Sequence, residues 1–304
     1  MEFQQRGLGV RRRVRAVAGV VAGGLLAALL AAVSGCSSET VADERPGGAA
    51  KEETAVAVLH RAADVLVRSG SSRVRTTMET AAGGTRVSIR GSGAYDFEKR
   101  LGRLRLLLPR DAMGAAEHAP ITELLASGAL FMRNRGAGIP SDKWVRVDTT
   151  GIPDGNLVTG GATDPLTAVE LLRGVRKARL VGEEGLDGAL VRHYRGITDI
   201  GRAARVASTG VRGPLEAAAK GFDEPAVPFD AYLDGFGRPR EVRHRFTVSR
   251  RASGWEQPRG QGAMARRAVG VASTTELYDF GASAVIELPK PGDIYTGKVG
   301  SPQK

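Results

Sequence analysis

Cysteine is almost absent: Cys36 is the only one in 304 residues. That excludes an internal disulfide and a cysteine-based metal cluster. Histidine is nearly as scarce. His60, His118, His193 and His244 stand far apart, so no His-Glu-x-x-His spacing exists. No Gly-x-Ser-x-Gly elbow occurs either, and the glycine-rich "GTRVSIRGSG" lacks a phosphate loop's lysine, so it reads as strand and turn. "GASAVIELPKPG" also reads as strand and turn. Catalysis needs a nucleophile, a base and an orienting group brought together. The four histidines read as surface or hydrogen-bonded core residues, and the Glu183-Glu184 and Asp223-Glu224 pairs as solvated turn residues. No enzyme, metal or cofactor is expected.

A long apolar run is present once only, from Ala16 to Val33. Arg6, Arg11, Arg12, Arg13 and Arg15 precede it, and the small residues Ser34 and Gly35 follow. A basic start, an apolar middle and a small-residue cleavage site make a secretory signal over residues 1–35. An uncleaved membrane helix is the competing reading, since the run approaches the length such a helix needs. Its glycines and the small residues before Cys36 suit cleavage better. The Arg12-Arg13 pair matches the twin-arginine signal poorly. Val33-Ser34-Gly35-Cys36 resembles a bacterial lipobox, which implies a diacylglycerol on the Cys36 sulfur and a location on the extracytoplasmic face of the cell membrane. Nothing near Cys36 would lower its pKa as a catalytic thiol.

Acidic residues are in the minority, giving a formal charge of +11. Cleavage before Cys36 removes five arginines and Glu2, leaving about +7. The excess is spread along the chain. It suits anionic headgroups, cell-wall polymers or plain solvation better than nucleic acid, which an exported protein does not meet. Residues 36–53 are polar, with Pro46, Gly47 and Gly48 and no aromatic side chain. They read as a flexible tether holding the domain roughly 20–25 Å from the membrane. Residues 54–304 read as one domain.

Within that domain, Val56, Leu59, Ala63, Leu66 and Val67 predict a helix from Thr54 to Arg68. A two-residue period then takes over. Val87, Ile89, Tyr95 and Phe97 share one parity, and so do Leu104, Leu106 and Leu108; Val145 and Val147; Val227, Phe229, Ala231 and Leu233; and Val242, His244, Phe246 and Val248. Such alternation marks strands with one apolar face. Gly83-Gly84, the stretch from Glu184 to Gly188 and the stretch from Asp234 to Gly237 supply tight turns, so the strands are antiparallel. "PITELLASG" and "DPLTAVELLRGV" read as short helices, the second capped by Asp164 with Pro165 in its first turn. "DIGRAARVASTGVRGPLEAAAKG" reads as helix broken near Gly210 and Gly213-Pro214. The fold class is therefore α+β: a large curved antiparallel sheet with helices on its concave face.

The order of lipobox, tether, helix, hairpin strands, "DKWVRVD", "DPLTAVELLRGV", "VRHYRGITDI", "FDAYLDGFGRPREVRHRF" and "TTELYDFGASAVIELPKP" resembles actinobacterial exported lipoproteins of the LppX–LprG type, which share the half-barrel of the lipoprotein carrier LolA. The resemblance spans Thr54 to Ile294. It implies an open half-barrel enclosing an apolar cleft for acyl chains, with lipid or lipoglycan as cargo and membrane lipid as partner through Cys36. "SRRASGWEQPRGQGAMARR" departs from a short hairpin turn and reads as a long basic loop. The candidate cleft residues are Leu104, Leu106, Leu108, Val145, Val147, Val227, Phe229 and Phe246, with Arg243 or Arg245 at the mouth and Ala231 as a small inward position. Alternation equally allows a solid core without cargo, in which case the chain is an interaction or sensory module of the envelope using the Arg250–Arg267 loop.

Overall fold

The computed structural model describes residues 47–82, 85–109, 119–134, 138–248 and 269–297. The signal, Cys36, His118, the Gly83-Gly84 turn and the Arg250–Arg267 loop lie outside them. Among the described residues, eleven strands form one antiparallel sheet. They are β1 (Ser71–Ala82), β2 (Thr85–Asp96), β3 (Leu101–Leu107), β4 (Ile121–Ala126), β5 (Ala129–Arg133), β6 (Trp144–Asp148), β7 (Val175–Leu186), β8 (Ala189–Asp199), β9 (Ala226–Asp234), β10 (Pro239–Val248) and β11 (Val269–Tyr278). The order across the sheet is β6-β5-β4-β3-β2-β1-β11-β10-β9-β8-β7. The edge strands β6 and β7 do not pair with each other, so the half-barrel stays open.

Parity decides the two faces. Val74 lies opposite Gly93 and Leu277, Gly93 opposite Leu104, and His244 opposite both Phe229 and Ser273. These residues share the concave face. It is covered by α1 (Gly47–Arg68), α2 (Pro165–Glu170), α3 (Ile200–Val206) and α4 (Thr209–Gly221), which supply Leu59, Leu66, Leu166, Ile200 and Leu215 to a single core. Asp164 accepts from the Thr167 N–H at 2.7 Å and Pro165 opens α2, as the sequence implies.

Four local expectations differ from the structure. "PITELLASG" forms β4 and its turn, because pairing with both β3 and β5 outweighs weak helix propensity. The first helix begins at Gly47, directly after Pro46, and extends through alanine, lysine and glutamate, all good helix formers. The break between α3 and α4 falls at Ala207-Ser208, and Pro214 lies inside α4. The segment from Ala282 to Lys290 is an irregular strap, not a strand. The hydroxyl of Ser71 donates to the Ala282 carbonyl, and Tyr295 N–H donates to the Trp144 carbonyl. Ile286 and Ile294 cover Leu124 and Phe131 on the convex face, forming a second small core there.

The sheet has two distinguishable ends. The upper end carries the β7–β8 turn at Asp187-Gly188, both with positive φ, and the β9–β10 turn around Gly237. The lower end carries the tip of β1 and β2 and the starts of β7 and β9. Helix α1 finishes at the upper end, next to Gly70 and β1, while its His60 Nε2 bonds the carbonyl of Val175 at the start of β7. The turn of α1 before His60 stays within the core, where Ala55 and Leu59 are buried.

Candidate functional site

The concave face is the candidate site, and strand parity brings all eight candidate cleft residues to it. Leu104, Leu106, Val227, Phe229 and Phe246 lie in the main core, with Val147 packed against it. Val145 shares their face, opposite Met132 on β5. Leu108 follows β3 with the same parity and is 36% exposed. The face is not uniformly apolar. Thr76 pairs with Thr275 and Ser273 with His244, so four polar residues occupy its centre.

An irregular segment fills the space over that centre. Asp154, buried, accepts from the N–H groups of Asn156, Val158 and Thr159 at 2.8–3.1 Å and folds the chain into the concavity. Leu157 and Ala162 are buried there. The Thr163 and Ser273 hydroxyls bond at 2.6 Å, pinning the segment to β11. The seal is incomplete in its polar bonding. Ser72 Oγ, Thr76 Oγ1, Thr275 Oγ1 and His244 Nε2 are buried without a partner among the described residues. Each such group costs about 1–3 kcal/mol. His244 is thus a core histidine, but not the hydrogen-bonded one the sequence suggested. Within the half-barrel, a cavity of about 30 Å³ lies between the β4–β5 turn, Asn156 and α4. It has room for about one water.

Burial alone drives the His244 pKa down to about 3. The unfolded chain binds a proton near pH 6.5 that the folded chain refuses until about pH 3. Between those values the unfolded state holds more protons, so stability falls as pH falls, by about 1.4 kcal/mol per unit from this group. Urea unfolding at about pH 7 and about pH 4.5 should show the loss, and His244→Leu should reduce the slope. An unchanged slope in His244→Leu would show that His244 is charged in the fold.

The arginines expected at the mouth point the other way. Arg245 Nη2 reaches Asp230 at 2.7 Å, and Arg243 Nε donates to Thr274 Oγ1 at 3.1 Å, both on the convex face. Strand alternation places them there, since His244 and Phe246 take the inward positions. Asp230 also accepts from Arg195 at 2.7 Å and bonds His193 Nε2 at 2.8 Å. Burial raises its carboxyl, but the bonds from Arg195, His193 and Arg245 outweigh burial and hold the pKa at about 2. Glu184 lies in β7, not in a turn, 3.3 Å from His193 Nδ1. Ala231 is inward and fully buried, between Tyr194 and Val242. A tryptophan there would overpack the core instead of filling a vacant cleft. Sequence inspection missed the segment around Asp154. The signal available was an acid followed two to five residues later by Asn, Val and Thr, which is too common to stand out.

The chain is similar in structure to LppX-type lipoproteins and to proteins of the LolA superfamily. The crystal structure of Mycobacterium tuberculosis lipoprotein LppX matches with a TM-score of 0.41 and 8% identity, covering 77% of this chain and 99% of that one. LprF from Mycobacterium bovis gives 0.40 and 9%, covering 79% and 98%. A LolA superfamily protein from Nitrosomonas europaea gives 0.30 and 11%, covering 77% and 94%. No protein-family model and no curated protein matches the chain. The half-barrel itself rests on the strand pairing above. Among the described residues, no three His, Cys, Asp or Glu side chains gather as a metal site.

Proposed function

We propose that the chain is a membrane-anchored, extracytoplasmic lipoprotein that takes acyl chains against the concave face of its half-barrel. One observation carries this. The apolar inner face does not end inside the core but continues to the lower end, where Val87 is 41% exposed and Leu108 36% exposed beside half-buried Ile89 and Ile121. Cargo would enter at this lip and displace the Asn156–Thr163 segment, whose polar seal is incomplete. Burial at about 0.8 kcal/mol per CH₂ would hold the chain with little directional contact, so selectivity would follow volume more than chain identity.

Protein purified from membranes should release acyl lipid in near-stoichiometric amount on solvent extraction, as seen by native mass spectrometry. A lipid-free protein would transfer the assignment to the second reading, an envelope interaction module with a solid core. Among the described residues, the small size of the cavity beside Asn156 favours that reading.

The anchor is Cys36. A diacylglycerol adds a second chain where one gives only marginal binding. Cys36→Ser should move the protein from the membrane fraction into the medium or leave it unprocessed. Intact mass of the membrane form should show the added acyl groups, and an unmodified thiol would overturn the assignment.

A further inference from the structure

We propose that the lower rim of β2 and β3 is a docking surface for an anionic lipid bilayer. The proposal rests on the acyl-carrier reading, because it gives that lip direct access to lipid. Two kinds of residue meet there. Val87 and Leu108 extend the inner apolar face into solvent, and Leu107, with the opposite parity, is 54% exposed on the convex side. Leu107 pairs with Arg90 across the β2–β3 ladder, and Arg86 and Arg105 are exposed on the same convex side. None of these three arginines has an ion-pair partner among the described residues, whereas Arg75, Arg173, Arg195, Arg238 and Arg245 all do. An apolar wedge flanked by unpaired arginines complements a surface of anionic headgroups over hydrocarbon. The opposite end also exposes an aromatic ring, Phe236 at 79%, but Arg238 lies over it, 4.8 Å from its centroid, and is itself paired with Asp234.

The processed protein offers a direct test. Its one cysteine is the proposed lipid anchor, so a cysteine introduced elsewhere takes a fluorescent label by itself. Leu108→Cys carries bimane at the lip and Phe236→Cys carries it at the far end. Leu107→Cys gives a second lip position should Leu108→Cys fold poorly. Each is reconstituted in vesicles containing brominated lipid, made of phosphatidylcholine with or without phosphatidylglycerol. Docking predicts quenching at the lip about two-fold or more stronger with phosphatidylglycerol, little at Phe236→Cys, and loss of the difference at about 1 M salt. Arg86→Glu with Arg90→Glu should abolish the lip quenching. Equal quenching in neutral and anionic vesicles, or quenching at Phe236→Cys instead, overturns the proposal. Solvent extraction of the same preparations keeps the two ideas apart. The double charge reversal should retain its co-purifying lipid, so absent lipid counts against carriage, and absent quenching with lipid retained counts against docking alone.

Discussion

Gly93→Val is expected to leave no stably folded protein. Gly93 sits mid-strand in β2, opposite Val74 on one side and Leu104 on the other. A Cβ built there would fall on the backbone carbonyl of Arg103, with the Leu104 Cα at 3.0 Å. The clash is with backbone, so no side-chain rotation relieves it, and β2 and β3 would have to part where both enter the core. Overpacking at a flexible contact costs about 1–3 kcal/mol, and a clash with a strand backbone belongs to the rarer class above about 4 kcal/mol. A domain stable by about 5–15 kcal/mol loses much or all of its margin. Ser92→Val, one residue away on the convex side, should be nearly neutral. Circular dichroism melts of the two variants make the comparison. A cooperative melt for Gly93→Val within a few degrees of the parent would show that the strands separate there at little cost.

The second large effect concerns movement of the filling. The Thr163 and Ser273 oxygens lie 2.6 Å apart and are 110 residues apart in sequence. Replacing both by cysteine and oxidising the pair would tie the inner segment to β11. Closing a loop of that length should stabilise the fold by up to about 4.7 kcal/mol. If cargo enters by displacing the segment, the oxidised protein should neither take up nor release a fluorescent fatty acid, and reduction should restore both. Equal uptake in the oxidised and reduced forms would mean that acyl chains bind without moving this segment, which removes the concave centre as the cargo site. The same variant thus separates a lipid-handling half-barrel from a solid-core module by function rather than by static volume.

Much of this architecture was legible before any coordinates. Alternation in "RLRLLLP", "WVRVD" and "EVRHRFTVS" grouped the apolar residues on one face of each strand, because a strand's side chains have a two-residue period, and the strand pairing turns those faces to the concave side. Asp164-Pro165 announced the start of α2 for an equally local reason, since a cap and a first-turn proline act on the backbone groups beside them. A place at the mouth for Arg243 and Arg245 runs against that same alternation, and the structure puts both on the convex face with Asp230. What the residues could not decide was anything set by partners distant in sequence. "ITELLA" is weakly helical alone and becomes a strand because β3 and β5 flank it. The strap from Ala282 to Lys290 reads like a strand but finds the convex patch of Leu124 and Phe131 instead of a ladder. How completely helices and the Asp154-folded segment occupy the concavity depends on packing several separate elements to within a methyl group. The two-residue period of the strands determines which side chains share a face, and only the tertiary structure decides which face turns inward and how much room is left there.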